Sequence, residues 1–362
     1  MTTRGFVLGK FLPPHAGHLT MCRMAAALVG ELTVLVCTLD REPIPGWLRA
    51  AWMRELLPGA RIVHYDQEVP QEPAEHPDFW PIWRKIIGEI HPEPVDFVFG
   101  SEPYIARLAQ ELGARPVPVD PDRRAFPVSG QAIRQNPAAH WRHIPAPVRP
   151  WYQKRVVTFG AESTGKSVMA EALAQWLGGP AVPEMGRTYE DVRTQGDWQA
   201  AHLIELASRH EAHRAAIAPE AGPVLAEDTD PLLTSVWARM LLGAPVPWLE
   251  ARPKADLYLL MDANVPFVQD GGRYFATDTA RTQFQALCVE ALDRTGVRVE
   301  RVTGDWNARE AQARAAVERL MAEPFPGLWE RPDSEWPVHT ARPQPMPRAS
   351  AEASRLLDRG SG

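Results

Sequence analysis

Two histidines three residues apart, His15 and His18, stand in the segment GKFLPPHAGHLT (9–20), with Gly17 between them and two prolines before them. H-x-x-H spacing suits metal ligands on one helix face, but here proline precedes the pair and glycine interrupts it. Donation to phosphate fits better. Both imidazoles can give hydrogen bonds to phosphoryl oxygens, more strongly when protonated, and an anionic nucleotide nearby favours the protonated form. Gly17 lets a phosphate come close to the backbone. Lys10, one residue after Gly9 at the end of an apolar run, can reach the same oxygens. A second segment, GAESTGKS (160–167), fits G-x-x-x-x-G-K-[ST] without a mismatch. Gly160 and Gly165 permit a tight turn, and with Glu162, Ser163 and Thr164 they form a loop of ATP-binding candidates. Its amides and the following helix N-terminus cradle phosphate oxygens. Lys166 puts a cation on the β- and γ-phosphates, and Ser167 can bind Mg²⁺.

Phosphoryl transfer also needs acids. EDTD ends an apolar strand, so Asp228 and Asp230 are both candidates for organising Mg²⁺ or for accepting the substrate hydroxyl's proton. Glu184, in PEMGRTYED, follows a short apolar stretch and is a candidate for the same cleft. Arg273, in the glycine-flanked DGGRYF, is a candidate lid arginine that closes over phosphates and stabilises developing charge. Nearer the N-terminus, PVSGQAIRQNP (127–137) reads as a turn and a short helix capped by Ser129, with Arg134 about one turn further on. It is a second anion site. Together with the histidine loop it can hold a triphosphate from both ends while another phosphate attacks the α-phosphorus, so that positioning and charge stabilisation carry the catalysis.

The elements that must position these residues alternate along the chain. Residues 4–9 read as a strand, then Leu19, Cys22, Ala26 and Val29 recur at helical spacing, and ELTVLVCTL is a buried strand. VDFVFGSE, IARLAQELG and ARPVPVD repeat strand, helix, strand. HIPAPVRPWYQKR (143–155), with three prolines, breaks the pattern and reads as a domain boundary. Beyond it come RVVTF, the helix KSVMAEALAQWLG with Met169, Leu173, Trp176 and Leu177 on one face, GPVLAEDTD, ADLYLLMD, VRVERVTG and the helix AREAQARAAVERLMA. Such alternation predicts parallel sheets covered by helices.

Bulk properties agree with a pair of enzyme domains. The 362 residues, 45% hydrophobic, suffice for two cores. A formal net charge of −6 excludes nucleic-acid binding by bulk charge. Lysine is confined to positions 10, 85, 154, 166 and 254, and two of these lie in the two phosphate segments. Cys22, Cys37 and Cys288 are scattered, as in a reducing compartment. No apolar run reaches the ~18 residues of a membrane span, and a cytoplasmic location is expected. His202, His210 and His213 in HLIELASRHEAH lack H-E-x-x-H spacing and read as a helix face rather than a zinc site.

GKFLPPHAGH with VSGQAIR resembles the nucleotidyltransferase superfamily, with its H-x-G-H signature and a late S-x-x-x-[IL]-R-like motif. Followed by GAESTGKS and EDTD in that order, it resembles the NadR-type bifunctional enzymes of NAD biosynthesis over about residues 4–322. These join a nicotinamide mononucleotide (NMN) adenylyltransferase to a ribosylnicotinamide kinase. The resemblance implies an α/β chain of two domains. They are an HxGH nucleotidyltransferase Rossmann-like fold over 1–147 and a P-loop kinase fold over 152–322. A Pro/Arg-rich tail over 323–362 is then either poorly ordered or a strap packed by its tryptophans.

The resemblance implies ATP as co-substrate with Mg²⁺, and ribosylnicotinamide, NMN and NAD as the other ligands, with no membrane and no DNA. Self-association is left open. By the same resemblance His15 and His18 carry adenylyl transfer, and Gly9, Lys10, Phe11, Gly17, Ser129 and Arg134 contact phosphates. Trp80 and Trp83 in FWPIWRK look like the segment that meets the nicotinamide ring. A cationic pyridinium favours an aromatic face, and core packing is the other reading of each tryptophan. Lys166, Ser167 and Asp228 map onto the kinase site, with Glu184 and Asp230 on the substrate side. The helix-turn-helix segment that opens many such enzymes is not seen, so transcriptional repression is not carried over. Gln131 replaces a frequent threonine. Two rivals remain: the same folds acting on another acceptor and nucleoside, and a nucleotide-sensing regulator of low turnover.

Overall fold

The computed structural model describes residues 2–193, 196–263 and 277–324. The chain divides into two units, with the division between Val148 and Arg149.

In the first unit, strands and helices alternate: β1 (Arg4–Gly9), α1 (Ala16–Leu28), β2 (Glu31–Cys37), α2 (Gly46–Leu56), β3 (Arg61–Tyr65), α3 (Phe79–Ile90), β4 (Phe97–Gly100), α4 (Ile105–Leu112), β5 (Arg115–Pro118) and α5 (Gly130–Gln135). The five strands form one parallel sheet in the order β3-β2-β1-β4-β5. Successive side chains of a strand point to opposite faces, and here both faces are covered. Phe6, Leu35 and Val98 pack with α3 and α4 on one side. Val7, Val34, Val36 and Phe99 pack with α1 and α2 on the other. Full burial of each such side chain contributes roughly 1.5–3 kcal/mol. The buried face of α1 runs through Leu19, Met21, Cys22 and Ala25, whereas the expected Ala26 points to solvent.

The second unit contains α6 (Arg149–Tyr152), β6 (Lys154–Phe159), α7 (Lys166–Leu177), α8 (Gly186–Val192), α9 (Ala200–Ile217), β7 (Val224–Asp228), α10 (Pro231–Leu242), α11 (Pro247–Glu250), β8 (Leu257–Met261), α12 (Asp278–Thr295), β9 (Val299–Val302) and α13 (Trp306–Ala322). Its parallel sheet has the order β7-β6-β8-β9. The short apolar stretch before Glu184 contributes a single bridge, in which Val182 pairs with Glu227 at the β7 edge. Helices α7 and α13 cover one face, α10 and α12 the other. Lys154, buried on β6, donates from Nζ to the carbonyls of Leu320 (2.6 Å) and Glu323 (3.0 Å), a cation at the C-terminal end of α13. Among the described residues no helix is long and apolar enough to cross a membrane. The tail from residue 325 and Arg273 lie outside the described residues.

Candidate active sites

In the first sheet β1 and β4 are neighbours, but the helix after β1 covers one face and the helix after β4 the other. A crevice opens beyond the carboxyl ends of two such strands, and in open α/β sheets ligands bind there. A cavity of about 360 Å³ lies at that point, lined by Gly9, Lys10, Phe11, His15, Gly17 and His18 from the loop after β1. Trp80 and Trp83 of α3 line the same cavity.

The loop is built from rings. Phe11 is buried at φ 47°, and its ring lies 3.1 Å from where a Cβ on Gly9 would stand. Phe11 meets His18 edge-on at 5.0 Å, and His18 stacks on His15 with ring centroids 3.7 Å apart. His15 caps α1, its Nδ1 accepting the His18 N–H at 3.4 Å. Burial first, then the charges of Arg123 and His143, lower the His15 pKa to about 4. Burial, then His15 and Arg123, hold His18 well below the ordinary imidazole range. The sequence reading expects a bound anion to favour charged rings. The protein around them pulls the other way and keeps both neutral.

Buried charges pin the same loop from behind. Arg49 is fully buried and donates from Nη1 to the Lys10 carbonyl at 2.7 Å, while its Nη2 lies 2.5 Å from Glu42 Oε2. Lys10 Nζ stands 3.7 Å from the other oxygen of Glu42. Ser129 caps α5, accepting the Ala132 N–H at 3.1 Å, as expected. Neither Ser129 nor Arg134 lines the cavity, although the adjacent Val128 does. Arg134 Nη1 donates instead to the Leu12 carbonyl at 2.5 Å. A Cβ on Gly130 would come within 2.3 Å of that same oxygen. Helix α5 therefore clamps the loop between Lys10 and His15.

Trp83 is a core residue with an edge on the cavity. It is 3% exposed, and its Nε1 donates to Pro70 O at 2.9 Å. Trp80 is more accessible, with Phe79 edge-on at 5.0 Å and the Arg107 guanidinium 5.7 Å from its ring centroid. Other cavity residues are not anticipated from sequence. Tyr104 donates from its hydroxyl to Leu8 O at 3.2 Å. Arg123 reaches Glu102 at 2.9 Å, and the Asp120 carboxylate accepts the N–H groups of Arg124 and Ala125 at 2.7 and 3.1 Å. Their only signal is that they follow β4 and β5, which carries meaning once the strand order is known.

In the second unit the phosphate-loop segment joins β6 to α7. Gly160 (φ 137°), Ser163 (φ 59°) and Gly165 (φ 88°) take left-handed backbone, and a Cβ on Gly160 would lie 2.8 Å from Met261 O. Thr164 Oγ1 (2.9 Å) and Lys166 Nζ (2.8 Å) both donate to Ala161 O. Three long side chains hold the loop from outside, all missed by motif reading. Gln285 accepts the Ala161 N–H at 2.9 Å, Arg281 donates to Glu162 O at 3.2 Å, and Arg309 donates to Thr164 O at 3.0 Å.

The acids separate. Asp228 ends β7 beside the loop strand, 3.5 Å from Thr158 Oγ1. Glu184 belongs with it: burial raises its pKa, Lys166 opposes that shift and Asp228 adds to it. Asp230 does not join them. It is 1% exposed, caps α10 by accepting the Leu233 N–H at 3.0 Å, and takes the Tyr258 hydroxyl at 2.6 Å. Both its oxygens are used inside the fold, so it is corrected from a substrate contact to a structural residue. His210 is buried and pairs with Glu227 Oε2 at 3.2 Å, beside Arg155. Among the described residues no group of three or more His, Cys, Asp or Glu could hold a metal ion.

Residues 155–309 match the family model described as AAA domain. The chain is 29% identical over 349 residues to the trifunctional NAD biosynthesis/regulator protein NadR of Escherichia coli (strain K12), covering 89% of this chain and 84% of that protein. This chain resembles NadR through both units. A crystal structure of NadR protein in complex with NR has a TM-score of 0.70 at 21% identity, covering 88% of this chain and 96% of that one. A NadR crystal structure with NAD and AMP-PNP has a TM-score of 0.67 at 20% identity, covering 89% and 97%. The fold shared with these NadR structures is α/β, with a Rossmann-like parallel-sheet unit followed by a phosphate-loop unit.

Proposed function

We propose that the chain makes NAD in two steps, each at its own loop. In the second unit the 5′-hydroxyl of ribosylnicotinamide attacks the γ-phosphorus of ATP, and NMN and ADP leave. In the first unit a phosphate oxygen of NMN attacks the α-phosphorus of a second ATP. The α–β anhydride breaks and pyrophosphate departs with NAD. The observation that carries this reading is the single cavity shared by His15, His18, Trp80 and Trp83, which suits a triphosphate at one end and an aromatic cation at the other. Relatives named for NAD biosynthesis, and NadR structures solved with NR and with NAD and AMP-PNP, support it.

In the first unit no covalent intermediate is required. Ring N–H groups and Lys10 hold the transferring phosphate, and the work is alignment and charge stabilisation. In the second unit Lys166 turns from Ala161 O to the phosphates. Ser167 and Asp228 are oxygen donors too few for an all-protein cage, which is the pattern of Mg²⁺ held partly by substrate phosphates and water. Bound there, the ion would neutralise phosphate charge. Glu184, its carboxyl pKa raised chiefly by burial, is suited to receive the hydroxyl proton.

The test is a product assay with ribosylnicotinamide, ATP and Mg²⁺. Lys166→Ala should lose NMN formation but still convert supplied NMN to NAD. His18→Ala should accumulate NMN without NAD. Wild-type protein yielding neither product would end this reading.

A further inference from the structure

The sequence motifs account for the phosphate end of the second site and leave its base end unassigned. Trp306 stands beside that loop. It is the one exposed tryptophan among the described residues, at 36%, in a protein whose other described tryptophans are buried or half-buried. Its ring is the nearest group to the Cβ that Gly165 lacks, at 3.4 Å, and, chain neighbours aside, no other described residue comes within 4 Å of that point.

The segment that carries the indole is tied down. Asp305 caps α13 by accepting the Ala308 N–H at 2.9 Å. The side-chain amide of Gln312 accepts the Thr303 N–H at 3.1 Å and donates to the Thr303 carbonyl at 3.0 Å. Arg309, 2% exposed, donates to Gly304 O (2.8 Å), to Thr164 O (3.0 Å) and to Asp262 O (3.0 Å). One buried guanidinium thus ties the segment carrying Trp306 to the phosphate loop itself. An exposed indole gains little for the fold, yet this one stands beside a phosphate cradle on a segment bonded to it. Rigid aromatic faces next to phosphate sites stack bases, at a worth of about 1–3 kcal/mol per base.

We infer that Trp306 is the stacking platform for the purine of the phosphoryl donor in the second unit. This rests on the reading of that unit as an ATP-dependent kinase. It assigns Trp306 to substrate binding, acting on the donor nucleotide and not on the nucleoside acceptor.

The experiment uses the full-length protein and two probes. Photolabelling with 8-azido-ATP, followed by peptide mapping, should modify the peptide containing Trp306, and excess ATP should protect it. Trp306→Ala should weaken ATP at the second site roughly tenfold while leaving tripolyphosphate affinity there unchanged, with Lys166→Ala used to identify that site in the titration. Trp306→Phe should restore most of the loss, which separates stacking from misfolding. Absence of label on that peptide, or equal weakening of ATP and tripolyphosphate, overturns the assignment. If the label maps to Trp306 but ribosylnicotinamide is never phosphorylated, the kinase reading fails and the base site stands.

Discussion

The loop at 10–18 closes on side chains, whereas the loop at 160–167 closes on its own backbone. In the first, Phe11, His18 and His15 lie ring against ring, and an ion pair and an arginine from distant elements hold the chain beneath them. In the second, Thr164 and Lys166 both bond the carbonyl of Ala161, and left-handed residues make the turn. Local rules set the turn of the second loop, and Gln285, Arg281 and Arg309 brace it from outside. Tertiary packing shapes the first, and it also keeps His15 and His18 neutral. Both sites carry a standing cation, Lys10 in the first and Lys166 in the second, but only the first adds a pair of imidazoles that burial keeps neutral.

If this contrast is right, a residue more than a hundred positions away should break the first loop. Gly130→Ala drives a Cβ to within 2.3 Å of Leu12 O. The oxygen cannot yield without moving the loop, and a misplacement of about 1 Å costs roughly 100-fold in rate. NAD formation from NMN should fall by about that factor, with phosphorylation of ribosylnicotinamide unchanged. Steady-state rates for each step check this. A Gly130→Ala protein with normal adenylyl transfer would show that α5 does not hold the loop.

The second way to sharpen the contrast is pH. The His15 pKa falls from the ordinary 6.5 to about 4 in the folded protein, chiefly through burial. The unfolded chain therefore binds that proton more readily. The stability is fully present above pH 6.5 and is lost as pH falls toward 4, a loss of about 3 kcal/mol for the first unit. His18 shifts in the same direction. Hydrogen exchange of α1, followed from pH 7 to 4, should show the loss. His15→Asn, which keeps a capping side chain, should reduce it and leave the His18 share. The loop at 160–167 contains no histidine, and protection there should not follow the same profile.

The same contrast explains what could be read in advance. GAESTGKS is legible because glycine, lysine and the helix start are all local signals. The alternation of apolar runs gave both parallel sheets. What stayed hidden depended on long-range pairing. RIVHY is a half-buried edge strand with charged and polar residues in it, so β3 carries no continuous apolar run. Arg49, Glu42 and Tyr104 gain meaning from the elements they touch, and nothing in their neighbourhoods announces this. Asp228 and Asp230, two apart, would share a face had the strand continued. It stops at Asp228, Thr229 takes φ 81°, and the turn delivers Asp230 to the cap of α10. The segment FWPIWRK reads equally as ligand contact or as core, and only the structure separates its two tryptophans: it opens α3, and Ile82, Ile86, Ile87 and Ile90 set that helix into the core.

That last case yields the smallest expected effect. Trp80 and Trp83 occupy one helix and one cavity, yet Trp83 is committed to the core by burial and by its bond to Pro70, while Trp80 keeps a partly open ring. If the cavity reads a cationic ring, Trp80→Ala should raise KM for NMN about fivefold, a change of about 1 kcal/mol, and leave KM for ATP unaltered. Trp80→Phe should fall between. Trp83→Ala should instead lower the unfolding temperature of the first unit, because it empties a packed position. Equal rises in KM for NMN and ATP on Trp80→Ala would mean that the aromatic wall reads no ring in particular, and would favour a different acceptor for the same fold.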